Sequence, residues 1–206
     1  RDDVQKAFEL LQTAGISPAG YAAPYGAWSR VVSSAIGSFH FEYSSEFSYD
    51  YDNLPSWPNI DSGFSDMLQL PIHPISIGNL RRQGFTESEM IGYFRTVVDR
   101  KLAARDPLMF YHHPRNGHHP VLEELFRLVR RQDIPLMLMR DVAAWWKRRA
   151  GIGLKLRLDN SQLEISPVDE HSDIRLHITR PDAQEAFVRL QQHVDLGALR
   201  WLPAQP

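Results

Sequence analysis

Apolar positions recur at helical spacing along the first three quarters of the chain. Val4, Ala7, Phe8 and Leu11 fall on one face and predict a helix that Gly15 and Pro18 end. Trp28 to Ile36 reads as a second helix, stopped by Gly37. The alternating aromatic run "FHFEYSS", 39–45, reads as a strand. Residues 50–66, rich in Asp, Asn, Pro, Ser and Gly, read as a long loop, and a loop of that length in a compact domain is usually functional or mobile. "MLQLPIHPI" is the next strand candidate. Thr86 with Glu89 forms a capping box, opening a helix whose apolar face is Met90, Phe94, Val97, Val98 and Leu102. "LMFYH" predicts a short apolar strand, and Pro120 suits the first turn of a helix that turns Leu122, Leu125, Leu128 and Val129 inward. "IPLMLM" predicts another buried strand, and Asp141 caps a last helix through Trp145 and Trp146.

Helix and strand therefore alternate over 1–150, the signature of α/β architecture with parallel strands. After Gly151 the period changes from helical to alternating. "GLKLRLDNSQLEIS" reads as a hairpin turning at Asp159-Asn160, and "DIRLHIT" alternates strictly. Residues 151–206 are expected to form a small β module. Four or five strands can be counted in the α/β part, where a closed barrel of this kind needs about eight. An open half-barrel leaves apolar edges for a missing barrel half or another subunit to pair with.

Composition narrows the function classes. The 206 residues carry a formal charge of −2, so no overall basic field exists to hold nucleic acid or an anionic membrane. The basic clusters Arg130-Arg131 and Lys147-Arg148-Arg149 sit late in predicted helices, where cations complement the negative helix end. There is no cysteine, which excludes disulfides, thiolate zinc sites and cysteine nucleophiles. No apolar run of about 18 residues exists to span a membrane. The chain starts at Arg1 in a helical pattern, as a processed or trimmed polypeptide would.

The stretch "PLMFYHHPRNGHHP", 107–120, gathers His112, His113, His118 and His119. On a strand, His113 shares a face with Tyr111 and Met109, while His112 shares the other with Phe110 and Leu108. The two adjacent histidines then cannot both reach one site. A histidine at the carboxyl end of a parallel strand is where ligands bind in such folds, and its pKa suits proton transfer. A loop of histidines with no carboxylate in register and no H-E-x-x-H is weak evidence for a metal site, and His118 with His119 could form only an adventitious clip. Glu46, Asp50 and Asp52 lie just beyond the aromatic strand, as acceptors for a ligand or as a turn-forming acidic loop. His73 ends an apolar strand, at the edge of a core or of a site. Trp28, Trp57, Trp145 and Trp146 are candidates for sugar stacking or for packing. No G-x-S-x-G, G-x-G-x-x-G or P-loop is present.

Taken together, three stretches resemble the polysaccharide deacetylase family with the NodB-homology fold. "GYAAPYGAW" looks like its third motif, R-x-P-[YFW]. "FEYSSEFSYDYDNLP" stands where its next strand and fourth-motif loop stand. "LMFYHHP" looks like its fifth motif, L-x-H, with Tyr111 in place of Leu and His113 as the histidine. The resemblance covers roughly residues 1–150. It implies part of a distorted (β/α) barrel, followed at 151–206 by a small β accessory module. Members hold a divalent metal, usually zinc, with one Asp and two His, and a second Asp acts as base. Carried over, His113 would be the general acid for the leaving amine, and Tyr25 would offer a backbone N–H to the oxyanion. Trp28, Tyr111, Asp50 and Glu46 would then line the substrate side.

The departures from the family are specific. The T-F-D-D and H-[ST]-x-x-H motifs, which bring the base and the metal ligands, are absent, and Ala22 replaces the third-motif Arg. The resemblance therefore implies the C-terminal portion of a metal-dependent deacetylase of N- or O-acetylated glycans. Zinc would be held in the complete protein by residues upstream, and this chain would hold none itself. The alternative is a non-catalytic relative that binds glycan or protein. An extracytoplasmic or cell-envelope location would follow from the same likeness.

Overall fold

A computed structural model describes residues 2–47, 54–60, 63–113, 115, 117–132, 134–166 and 174–204. The chain divides into two compact units, Arg1–Trp145 and Trp146–Pro206. Among the described residues it is mixed α/β, with six helices and several small sheets, and no closed barrel forms. No described helix is long and apolar enough to cross a membrane.

The first unit opens with α1 (Asp2–Thr13), whose Val4 and Phe8 pack against Ile36, Phe39, Phe41 and Met67. Phe8 meets Phe41 edge-on at 5.9 Å, a favoured aromatic geometry. β1 (Gly20–Ala22) leads into a 3-10 turn, Pro24–Gly26, and then α2 (Arg30–Ile36). Ser29 starts α2 by accepting the Val32 N–H at 3.1 Å, satisfying an otherwise orphan donor. β2 (Tyr43–Ser45) pairs in parallel with β1 and with β5 (Leu68–Gln69), in the order β1-β2-β5. The ladder goes on past the named strands. Phe47 donates to Gly26 O and Ile72 to Glu46 O, both at 2.9 Å, and His73 donates to Met109 O at 2.8 Å.

Two of the predicted strands shrink. The run 39–45 is a strand only over Tyr43–Ser45, because Gly37–Phe39 is a 3-10 turn and His40 is left-handed at φ 55. "MLQLPIHPI" contributes only Leu68–Gln69. "LMFYH" lies beside the sheet end through the single Met109 bond and forms no strand. "IPLMLM" is overturned as a buried strand, since Leu136, Met137 and Leu138 are exposed and unladdered. Within the stretch expected to be a loop, β3 (Asn59–Ile60) pairs antiparallel with β4 (Gly63–Phe64).

Of the helices after the sheet, α4 and α5 follow their sequence signals closely. α3 (Ile77–Arg82) is N-capped by Ser76. α4 (Glu87–Ala104) carries the complete Thr86–Glu89 capping box. α5 (His119–Arg131) has Pro120 in its first turn. Together they bury Ile77, Leu80, Met90, Phe94 and Val121, with Phe110 packed against them. α6 (Met139–Ala150) begins two residues before Asp141, which therefore lies in its first turn and is not its cap.

The second unit is antiparallel. β6 (Lys155–Asp159) and β7 (Gln162–Ser166) form a hairpin with Asn160 left-handed at φ 53, and β10 (His193–Asp195) joins β7. β8 (Arg175–Thr179), β9 (Gln184–Arg189) and β11 (Leu202–Pro203) make the other sheet. Ile165, Ile174, Leu190 and Val194 form its core.

Candidate functional site at the carboxyl end of the parallel sheet

The turn after β1 puts Tyr25 at the sheet's carboxyl end. Its backbone is left-handed at φ 60, a conformation that costs a residue with a side chain. The side chain is 95% exposed. The next residue, Gly26, is also left-handed at φ 62, and the Phe47 ring lies where its Cβ would be. Only glycine admits this approach. The Phe47 N–H closes the contact by donating to Gly26 O.

Phe47 then joins the turn to the histidine stretch. Its ring lies 5.1 Å from that of Tyr111, which meets His113 edge-on at 5.7 Å. The Tyr111 hydroxyl is 3.4 Å from both Pro74 O and Asn79 Oδ1. Asn79 is itself held by Ser76, whose Oγ donates to Oδ1 at 2.6 Å and accepts the Asn79 N–H at 3.2 Å. Tyr25, Phe47, Tyr111 and His113 thus share one end of the sheet, and His113 is solvent-exposed there. Trp28, half-buried, follows the same turn.

Glu46 is on this end too, but not on a solvated loop. It is 1% exposed. Ser44 Oγ and Gln69 Nε2 both donate to Oε2 at 3.0 Å, while Oε1 is buried with no hydrogen-bond partner among the described residues. Burial pushes its carboxyl above the usual Glu range, and the two donors pull it partly back. Tyr21, across the strand pair, is raised by its own burial and then by the Glu46 charge. Asp50 and Asp52 lie outside the described residues.

The other histidines separate from His113. His112 is half-buried with both ring nitrogens unpartnered among the described residues. Burial first, then His113, His119 and His118, holds its pKa below the ordinary value. His118 occupies the α5 N-cap in a left-handed conformation and bonds Glu87 Oε1 through Nδ1 at 3.2 Å. His119 is the first residue of α5. His73 is buried, with Nε2 2.8 Å from Tyr93 OH and its ring against Phe110. It lines a cavity of about 370 Å³ along α4 with Tyr93, Thr96, Val97, Arg100 and Lys101, and none of the predicted site residues lines it.

Among the described residues no three His, Asp or Glu converge as a metal-ligand set, so these residues do not fit the ion that the family resemblance implies. Sequence reasoning missed Phe47 and Asn79. Phe47 was findable, because it alternates with Tyr43 and Ser45 and so shares their face. Asn79 carries no such signal, since its role comes from the helix start that Ser76 sets. No family model, no curated protein and no solved structure matches this chain.

Proposed function

We propose that this chain supplies one side of the cleft of a glycan deacetylase of the NodB-homology type, with the sheet end as part of a distorted (β/α) barrel. The observation that carries the reading is the contact chain Gly26–Phe47–Tyr111–His113, which unites the three stretches behind the resemblance at one end of the sheet. Ligands bind at such carboxyl ends. In this reading His113 gives a proton to the leaving amine as the C–N bond breaks. The Tyr25 N–H faces the negative charge that grows on the acetyl oxygen. Trp28 and Tyr111 offer ring faces to the sugar. Glu46 is not presented to a sugar in this arrangement, because it is buried against Ser44 and Gln69. The divalent ion of that family would be held by residues outside this chain, and no step of the present reading runs through it.

One residue favours a second reading, binding without hydrolysis. Ala22 is exposed at the end of β1, where the family carries an Arg that orients its catalytic Asp. The two readings part in one experiment. Acetylated chito-oligosaccharide and O-acetylated xylan are offered to the parent polypeptide, and both acetate release and saturable binding are followed. Hydrolysis predicts release that His113→Ala lowers about 10²- to 10⁴-fold, mostly in kcat. Saturable binding with no release establishes the second reading. Neither binding nor release overturns both.

A further inference from the structure

The carboxyl end of β2 buries an acid that has no counter-charge among the described residues. Glu46 Oε2 takes two hydrogen bonds, from Ser44 on its own strand and from Gln69 on β5. Oε1 takes none. Near it on β1 stands Tyr21, a phenol whose pKa is raised above its ordinary value by its own burial and then by the Glu46 charge, well above the range considered below. No Lys, Arg or His among the described residues bonds Glu46. A carboxylate taken from water without a cation is strongly disfavoured, whereas the neutral acid leaves one weaker group unsatisfied.

The main chain at this residue holds the sheet end together. Glu46 O accepts the Ile72 N–H, and the next N–H, that of Phe47, reaches Gly26 O. Phe47 is the ring that joins the Tyr25 turn to Tyr111. We propose that Glu46 is a proton-held latch: with its proton on, the end of β2 stays closed, and losing the proton drives the Phe47 and Ile72 pairings open. Opening returns the carboxylate to water, which is where its charge is stable. The latch concerns the fold of the edge and holds whether the site hydrolyses glycan or only binds it.

The sign follows from proton linkage. The closed form binds the Glu46 proton more tightly than the open form. Closure is therefore complete below the ordinary Glu value of 4.5. The opening constant rises up to tenfold per pH unit above it, levelling off once the closed form too is ionised. Hydrogen exchange read by NMR on the whole chain from pH 4.5 to 8 tests this, with rates corrected for intrinsic exchange. Protection at the Phe47 and Ile72 amides should fall with pH in the native protein and stay flat in Glu46→Gln, with Phe94 and Val98 on α4 as references. Flat protection in the native protein, or an equal fall in Glu46→Gln, overturns the latch. Should Glu46→Gln lose the α4 protection, Gln69→Leu decides. It removes a donor that favours the charged form, so the fall should continue to a higher pH than in the native protein. An unchanged endpoint overturns the proposal.

Discussion

Gly26 and Gly117 are both left-handed, at φ 62 and φ 65, yet they sit in different surroundings. A Cβ on Gly26 would collide with the Phe47 ring, while one on Gly117 would meet nothing within 4 Å. Gly117→Ala should therefore cost only the backbone strain, about 1 kcal/mol. Gly26→Ala should cost a further ~1–3 kcal/mol for displacing a packed ring. Urea midpoints of the two variants measure the difference, and equal shifts would mean that Phe47 moves aside freely. Glu46 shows why the residue scale is the hardest to read from sequence. Strict alternation from Phe39 puts the aromatics on one face and Glu46 on the other, which argues for a solvated acid. That argument fails because β2 lies between two parallel neighbours, in a kind of sheet whose faces are both covered. Ser44, Ser45 and Glu46 are consequently all buried. The pairing of His113 with Tyr111 was legible from their spacing of two positions, although the strand expected to carry them does not form.

At the scale of elements, α4 shows what local signals deliver. The Thr86–Glu89 box is complete, with Glu89 N–H to Thr86 Oγ1 at 3.3 Å and Thr86 N–H to Glu89 Oε2 at 2.8 Å. Thr86→Ala should lower stability by about 1 kcal/mol, read from the thermal midpoint. Bonds from the Thr86 backbone and hydroxyl hold the Glu89 carboxyl below its usual range. Its contribution is thus present above the unfolded Glu value and fades as pH falls through the lower folded one, the opposite sign to Glu46. Glu89→Gln should flatten the loss of α4 amide protection below pH 4.5, the ordinary Glu value. A native-like acid decline in that variant would place its cause elsewhere. Capping is local chemistry, so a sequence states it in full. "IPLMLM" is the converse case. An apolar run expresses a preference for burial but does not supply the surface that buries it, and Leu136, Met137 and Leu138 end up exposed. The same limit applies to "LMFYH", whose single ladder bond, from His73 to Met109, depends on where a distant segment stops.

For the molecule as a whole, the change of period near Gly151 was visible because helices and strands repeat at 3.6 and 2 residues, and the two cannot be confused over long runs. Barrel closure was not, because it depends on strands meeting across distant parts of a chain, and the described parallel sheet has three named strands. The compact units divide inside α6, and each described core cluster draws its residues from one unit. A β unit of this size buries a modest share of its surface, so it is marginal by itself and sensitive to any core cavity. Ile165, 1% exposed on β7, is the most buried isoleucine of that core. Ile165→Val should cost about 1 kcal/mol and Ile165→Ala ~2–5 kcal/mol, since the smaller side chain leaves a cavity as well as losing transfer energy. Because each described core cluster lies within one unit, the loss should appear in the amides of β7 and β9 and leave those of α4 and α5 at native protection. Exchange measured on both variants checks this. If α4 and α5 lose protection in step with the β amides, the two units unfold as one cooperative body, and the β module carries part of the stability of the sheet end that presents Tyr111 and His113.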